Sequence, residues 1–133
     1  MHIEKSLHLF ERALQLIPGG SQTSSKRPSA FAPGAYPIYV ARGDGSHVWD
    51  IDGNEYIDYV LALGPLTLGY RYPAIDEAIR RQLEKGIIFG LLHPLEVEVA
   101  EAIKGAVPCA EMVRFFKTGA EGISAAVSGW PTS

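Results

Sequence analysis

Apolar residues recur at helical spacing near the start of the chain. Four of them stand three or four positions apart: Leu7, Phe10, Leu14 and Ile17. This spacing places them on one face of an α-helix. Ser6 is of a residue type that caps helix starts, and a Pro-Gly-Gly segment from Pro18 is typical of a helix end. The pattern therefore predicts an amphipathic helix that Ser6 caps and that ends before Pro18.

A polar loop and a group of strands are predicted next. Residues 21–37 are polar, contain proline and show no period, which is typical of a long loop. Residues 37–60 contain short runs of β-branched and aromatic residues. Two glycine-bearing turns, at residues 43–45 and 52–54, separate these runs. We expect a small sheet of three antiparallel strands.

The second half of the chain has the pattern of helices joined by irregular connections. Pro73 and Pro94 each stand where a helix can begin, and Pro108 closes the second of these helices. The stripes expected to be buried are Ile75, Ala78, Ile79 and Leu83 in the first helix, and Leu95, Val99 and Ile103 in the second. Residues 112–116 predict a short strand, and a turn at Thr118 leads into a helix near Ala120. This order of elements indicates an α/β fold.

Composition narrows the class of protein. The 133 residues suffice for one domain or for part of a larger one, and a net charge of -3 offers no basic surface for nucleic acid. The single cysteine, Cys109, and the four histidines lack metal-ligand spacing. The longest apolar stretch is too short for a membrane span, and no export signal is visible. We expect a cytoplasmic protein that uses no nucleic acid, membrane or metal.

Two segments carry candidate chemistry. In residues 117–121, a turn into a helix directs main-chain N–H groups and the positive end of the helix dipole to one point, which suits a phosphate. An ordinary helix start has the same pattern. In residues 21–27, hydroxyls, an amide and the cations Lys26 and Arg27 could bind a carboxylate. The alternative, favoured by these residues alone, is a solvent-exposed linker.

Five ordered blocks of the sequence resemble one enzyme family. The blocks are IPGGSQTSSKRP, RGDGSHVWDIDGNEYIDYV, ALGPLTLGYRYP, LEVEVAEAI and EMVRFFKTGAE. In this order and spacing they resemble the N-terminal part of glutamate-1-semialdehyde aminomutases and their class III aminotransferase relatives, from about residue 9 to residue 127. The resemblance implies a pyridoxal-phosphate enzyme of the large aspartate-aminotransferase-like fold (fold type I), active as a homodimer on small amino or keto substrates.

The resemblance also assigns candidate site residues. Thr118, Gly119 and Ala120 match the family segment that holds the cofactor phosphate, although Ala120 lacks the usual hydroxyl. The loop that faces the substrate in the family corresponds here to Ser21, Thr23, Lys26 and Arg27, with Leu63 further along the chain. The matched site therefore joins a phosphate turn to a substrate loop.

Several matched positions depart from the aminomutase pattern. Lys26 stands where that pattern has a carboxylate-binding arginine, and a lysine cannot reproduce bidentate binding. Leu63 replaces a tryptophan, and Tyr70 and Tyr72 replace the commoner histidine-bearing version. These departures favour a side branch of the family that acts on other metabolites.

The family chemistry needs groups that the resemblance does not supply here. The Schiff-base lysine and the aspartate that pairs with the pyridine nitrogen lie downstream of the last block in the family, and no lysine of this sequence falls in the lysine's motif. We therefore assign no catalytic residue, and the alternative function is a non-catalytic remnant that associates with a full-length relative.

The resemblance also divides the chain. Residues 1–60 are expected to contain the first helix, substrate loop and antiparallel strands, and residues 61–133 the start of the large cofactor domain. From Ser128 the segment Ser-Gly-Trp-Pro departs from the family and breaks the helix. A frameshift, a natural truncation and a gene-model error are the open explanations.

Overall fold

The structure, a computed structural model, describes residues 2–32 and 36–129. They belong to two compact units, Met1–Lys85 and Gly86–Ser133. The elements of the first unit are α1 (Glu4–Leu16), β1 (Val40–Asp44), β2 (His47–Asp50), β3 (Glu55–Ile57) and α2 (Pro73–Leu83), and those of the second are α3 (Pro94–Ala106) and α4 (Gly119–Val127). Short 3₁₀ turns cover Pro18–Gly20, Ser24–Lys26, Pro28–Ala30 and Leu61–Leu63. Helix α2 lies in the first compact unit. The division expected after residue 60 stays a prediction.

Helix α1 is present as predicted, but the prediction that Ser6 caps it is wrong. The helix begins at Glu4, and Ser6 lies inside the first turn with only 1% of its surface exposed. The carboxylate of Asp52 accepts hydrogen bonds from the N–H groups of Lys5 (2.8 Å) and Ser6 (3.0 Å), and from the Ser6 hydroxyl. The cap therefore comes from a turn 46 residues away, because a carboxylate can satisfy N–H groups that have no partner within the helix.

The predicted antiparallel sheet is confirmed, with strand order β1-β2-β3. Gly43, Val48 and Tyr56 stand opposite one another in the register, so their side-chain positions share one face. Val48 and Asp50 are buried on β2, while His47 and Trp49 alternate with them and are half-buried. One face of the sheet is therefore the covered face.

Asp50 organises the turn between β2 and β3. Its carboxylate accepts bonds from the main-chain N–H groups of Asp52 (3.0 Å) and Asn54 (2.8 Å), from the Asn54 amide (2.7 Å) and from the Tyr56 hydroxyl (2.8 Å). Gly53 adopts a φ of +92° at the tip, a value that favours glycine. Burial acts to raise the pKa of Asp50, but the hydrogen bonds from Asn54, Tyr56 and Asp52 outweigh it and lower the pKa. This turn carries Asp52 to the start of α1.

In the second unit both helices begin at local caps. The His93 Nδ1 atom accepts a bond from the Leu95 N–H (3.2 Å), while Glu96 accepts one from the His93 N–H (3.1 Å). Pro94 occupies the first helical position, where its missing N–H costs nothing. The predicted helices from Pro94 and after Thr118 are confirmed.

The prediction of a strand at residues 112–116 is wrong. Every strand in the described part of the chain belongs to the sheet of the first unit, and residues 112–116 are not in it. A strand requires hydrogen bonds to a neighbouring strand, which an apolar pattern cannot provide by itself. Trp130 and Pro131 of the predicted helix break, and residues 33–35 of the predicted loop, lie outside the described residues.

The apolar stripes of α2 and α3 are not buried as expected. On α2, Ile75, Ile79 and Leu83 keep about half of their surface exposed, and on α3 Leu95 and Val99 keep more than two-fifths. Their periodicity was interpreted correctly as helical, but burial also requires a second element against the stripe. No helix within residues 2–32 and 36–129 is long and apolar enough to cross a membrane.

Candidate functional site

The turn before α4 is closed by a reciprocal cap. The Thr118 hydroxyl oxygen accepts a bond from the Glu121 N–H (3.3 Å). The Glu121 carboxylate accepts bonds from the N–H groups of Thr118 (3.0 Å) and Lys117 (3.1 Å). This is the capping box that the residue pair Thr118 and Glu121 can form at a helix start.

The cap leaves a specific set of donors for an anion. The N–H groups of Gly119 and Ala120 have no acceptor among the described residues, and the Thr118 hydroxyl can still donate its proton. A Cβ built on Gly119 meets no atom within 4 Å, so the space beside it is open. The helix N-terminus adds partial positive charge. These residues fit a phosphate group. Ala120 offers no hydroxyl, and the N–H groups of Lys117 and Thr118 are already bound to Glu121, so neither can add a further donor.

The candidate substrate loop folds into local turns. The Ser21 hydroxyl donates to the Thr23 carbonyl (2.8 Å) and accepts from the Thr23 N–H (3.3 Å). Two 3₁₀ turns, Ser24–Lys26 and Pro28–Ala30, follow. The loop is therefore more structured than a linker composition alone suggests.

The two cations of this loop are held differently. Arg27 folds back over the Pro-Gly-Gly turn, since a Cβ added to Gly19 would lie 3.1 Å from the Arg27 Cζ atom. Gly19 has a φ of +70°, which favours glycine at this close approach. Lys26 is exposed at the end of its 3₁₀ turn. Lys26 is therefore the cation that can move to meet a ligand in solvent.

Leu63 is presented by an unusual backbone turn. Leu61, Ala62 and Leu63 have φ angles of +49°, +52° and +65°, in the left-handed region that L-residues rarely adopt. Left-handed helical conformation costs roughly 1–2 kcal/mol per residue. The Leu63 side chain is 74% exposed. The candidate substrate residue therefore stands on a strained and accessible turn.

Asp58 and Tyr70 support this turn and were not among the predicted site residues. Asp58 accepts bonds from the N–H groups of Val60 (2.7 Å) and Leu61 (3.2 Å), and from the Tyr70 hydroxyl (2.7 Å). Burial acts to raise the pKa of Asp58, but the bonds from Tyr70, Val60 and Leu61 outweigh it and lower the pKa. The only sequence signal was the unusual tyrosine at position 70.

The predicted site residues lie in both units. The candidates for substrate binding, Ser21, Thr23, Lys26, Arg27 and Leu63, belong to Met1–Lys85, and the candidates for phosphate binding, Thr118, Gly119 and Ala120, belong to Gly86–Ser133. Within the described ranges, no group of three or more histidine, cysteine, aspartate or glutamate residues could hold a metal ion. The two parts of the candidate site thus rest on separate local geometries.

Comparisons with known proteins identify the family. The sequence profile of the aminotransferase class-III family matches residues 30–128. The chain is 45% identical over 125 residues to the glutamate-1-semialdehyde 2,1-aminomutase of Methanosarcina acetivorans. This alignment covers 94% of the chain and 28% of the aminomutase. The chain is 40% identical over 128 residues to the 3-aminobutyryl-CoA aminotransferase of Cloacimonas acidaminovorans, covering 96% of this chain and 31% of the relative.

A solved structure agrees with these matches. A transaminase with PLP bound superposes with a TM-score of 0.84 at 37% identity, over 97% of this chain and 29% of the transaminase. The resemblance inferred from the five sequence blocks is therefore confirmed, and the chain belongs to the class III aminotransferase family. The α/β fold agrees with the N-terminal part of these enzymes. The chain spans less than a third of the length of the aminomutase, the aminotransferase and the transaminase that it matches.

Proposed function

We propose that this chain forms the N-terminal part of a pyridoxal-phosphate-dependent enzyme that transfers amino groups. The match of residues 30–128 to the class III aminotransferase family carries the proposal. One relative is an aminomutase and another is an aminotransferase, so amino-group transfer is the activity that their names share. We expect the whole enzyme to be a cytoplasmic homodimer that acts on a small amino or keto compound.

In this proposal the turn before α4 holds the cofactor phosphate. The Thr118 hydroxyl and the main-chain N–H groups of Gly119 and Ala120 would donate hydrogen bonds to the phosphate. All three lie at the positive end of the α4 dipole. Glu121 keeps the turn closed through its bonds to Lys117 and Thr118. Pyridoxal phosphate, when bound, supplies the electron sink that amino-group transfer requires. The lysine that the family uses to join the cofactor matches no position here, so it must come from outside the matched third of the relatives.

The first unit would supply the substrate contacts. Lys26 is an exposed positive charge for a carboxylate, and Arg27 stiffens the loop by packing over Gly19. The Thr23 hydroxyl stands in the same loop as a hydrogen-bonding group, while the Ser21 hydroxyl donates to the Thr23 carbonyl and holds the loop's shape. Leu63 offers an apolar side chain where the aminomutase pattern has a larger aromatic one. This combination favours a substrate with one carboxylate and an apolar portion.

A proline substitution tests the phosphate assignment. Gly119→Pro removes one N–H donor at the first helical position, where proline is tolerated. Thr118 already has the extended conformation that a following proline requires, with φ -130° and ψ 154°. Gly119→Ala is the matched control, because it retains the N–H. Equilibrium dialysis would compare pyridoxal phosphate with pyridoxal for both variants.

Loss of one charge-assisted hydrogen bond should weaken pyridoxal phosphate binding by about tenfold or more in Gly119→Pro. Binding of pyridoxal, which lacks the phosphate, should change little. Equal binding of both compounds by the wild-type chain would contradict a phosphate site at this turn.

A second candidate function is a non-catalytic chain that associates with a full-length relative. The exposed apolar stripes of α2 and α3 favour it, because such surface is normally covered by a partner or another domain. Sedimentation of the chain alone and with the Methanosarcina acetivorans aminomutase tests this candidate. A mixed complex would support it, and a chain that sediments as a monomer in both samples would exclude it.

A further inference from the structure

The turn at Leu61–Leu63 contains three of the four non-glycine residues that have positive φ angles in the described part of the chain. Its three residues are consecutive, none is glycine, and all have positive φ angles. Such conformations persist only when neighbouring groups hold them, and they are concentrated at functional positions. The groups that stabilise this turn therefore determine the position of the exposed Leu63 side chain.

Asp58 connects the turn to Tyr70 by using both carboxylate oxygens. Oδ1 accepts from the N–H groups of Val60 (2.7 Å) and Leu61 (3.2 Å), where the chain enters the turn. Oδ2 accepts from the Tyr70 hydroxyl (2.7 Å). Hydrogen bonds to a charged acceptor are stronger than neutral ones, so this carboxylate opposes the cost of the left-handed backbone.

Tyr70 is itself anchored to the β1–β2 hairpin. A Cβ on Gly43 would lie 2.4 Å from the Tyr70 Cγ atom, so the ring packs directly on this glycine. The main chains of Tyr70 and Gly45 exchange two hydrogen bonds, of 2.8 and 3.0 Å. The hydrogen bond to Asp58, followed by burial, raises the pKa of Tyr70 to about 12, as expected for a hydroxyl that donates to a carboxylate. The sheet thus provides a fixed point for the turn.

We propose that Asp58 and Tyr70 are positioning residues that hold the left-handed turn and thereby keep the Leu63 side chain in one orientation toward the apolar part of the substrate. The inference rests on the proposed function for the role of Leu63. Neither Asp58 nor Tyr70 contacts the substrate in this proposal.

The first test measures the turn itself. Tyr70→Phe removes the hydroxyl and keeps the ring on Gly43. Tyr59→Phe is the matched control, because Tyr59 is next to Asp58 in sequence and 87% exposed. Scalar couplings and intraresidue NOEs of residues 61–63 report their φ angles in the full chain without any ligand. We expect left-handed values in the wild type and in Tyr59→Phe, and averaged values in Tyr70→Phe.

Unchanged couplings in Tyr70→Phe would overturn the proposal, because Tyr70 would then act only in packing. A second variant guards against a general loss of stability. Ala62→Gly relieves the positive φ at an exposed position. It should raise the melting temperature by roughly 4 °C in the wild type and in Tyr59→Phe. In Tyr70→Phe, whose turn is already relaxed, it should give little or no gain.

An equal gain from Ala62→Gly in all three backgrounds would also overturn the proposal. Neither measurement uses the cofactor, so the outcomes are separate from those of the proposed function. Relaxed couplings in Tyr70→Phe support the positioning role even where the chain fails to bind pyridoxal phosphate. Retained couplings overturn it even where the chain binds pyridoxal phosphate.

Discussion

The two units of the molecule are stabilised in different ways. In Met1–Lys85, side-chain bonds join residues far apart in sequence, as when Asp52 caps α1 across 46 residues. In Gly86–Ser133, the helix caps join residues two to four positions apart, as Thr118 and Glu121 do. Every residue that the structure describes as buried lies in the first unit: Ser6, Ala13, Val48 and Asp50.

The difference shows what each kind of contact can do. A local cap satisfies helix N–H groups but covers no apolar surface, so it adds about 1 kcal/mol and does not create a core. The Asp50 and Asp52 carboxylates connect the sheet to α1 and therefore make those elements depend on one another. We expect the first unit to unfold cooperatively and the second to lose its helices more gradually.

The largest effect should come from Asp50, which is buried and accepts four bonds. Asp50→Asn keeps one acceptor oxygen and so removes the acceptor of two of the four bonds. It should lower the free energy of unfolding of the first unit by about 3 kcal/mol. Urea unfolding followed by Trp49 fluorescence in a Trp130→Phe background would measure the loss. Asp76→Asn is the control: this α2 carboxylate is 30% exposed and lies 3.9 Å from Arg80, and the substitution should have a much smaller effect. Equal losses of unfolding free energy in Asp50→Asn and Asp76→Asn would mean that the β2–β3 turn does not stabilise the first unit as a whole.

The pH dependence should also be concentrated in the first unit. Burial acts to raise the pKa values of Asp50 and Asp52, but hydrogen bonds outweigh it and hold both below the ordinary 3.8. Their stabilising contribution is therefore complete above pH 3.8 and is lost as the pH falls through their lowered values. Acid titration should change Trp49 fluorescence in step with loss of the sheet, and a flat signal down to about pH 2 would contradict it.

At high pH the dependence of stability on pH has the opposite sign, because stability is lost as the pH rises. Burial and the bond to Asp50 raise the pKa of Tyr56 to about 12, and the bond to Asp58 and burial raise that of Tyr70 to about 12. Their contribution is complete below the ordinary value of 10.0 and is lost as the pH rises through about 12. Burial, followed by the charge of Asp58, also raises the pKa of Tyr36. Tyrosinate absorbance should therefore show three late-ionising groups, of which Tyr56→Phe and Tyr70→Phe should each remove one.

A smaller effect is expected from the cap of α4. Glu121→Ala removes the acceptor for two main-chain N–H groups and should destabilise this helix by about 1 kcal/mol. Faster hydrogen exchange of the α4 amides would show the loss, while Trp49 fluorescence in the Trp130→Phe background should not change. Glu101→Ala, in the middle of α3, serves as the control. If hydrogen exchange of the α4 amides and Trp49 fluorescence changed together, the two units would not be stabilised independently.

The smallest effect should come from the surface ion pairs of α2. Arg81 lies 3.4 Å from Glu77, with both side chains more than half exposed. Solvent screens such pairs, so Arg81→Gln should change the free energy of unfolding by about 0.3 kcal/mol. The same urea titration measures it. A loss comparable to that of Asp50→Asn would contradict the ranking.

Much of the fold could be predicted because its signals are local. The proline starts of α2 and α3 and the glycine turns of the sheet depend on the conformations of single residues. The strand expected at residues 112–116 failed because pairing needs a neighbour. The burial expected for Ile79 and Val99 failed for the same kind of reason, since a stripe needs a surface to pack against.

For the candidate site, only local geometry could be predicted from the sequence, and the roles of its residues in binding stay predictions. Thr118 and Glu121 form a cap that their spacing allows, and the five sequence blocks identified the family. Asp58 could not be found in this way, because its role depends on Tyr70 lying over Gly43. No residue spacing indicates that Arg27 would pack on Gly19 while Lys26 points into solvent.

The sequence by itself determined the helices, the three-stranded sheet and the family, because periodicity, turn residues and motif order act over a few positions at a time. Only the tertiary structure decided that Asp52 rather than Ser6 caps α1, and that Asp58 and Tyr70 hold a left-handed turn. Those contacts join residues that are distant along the chain. Their energies exist only when the backbone has brought the groups within hydrogen-bonding distance.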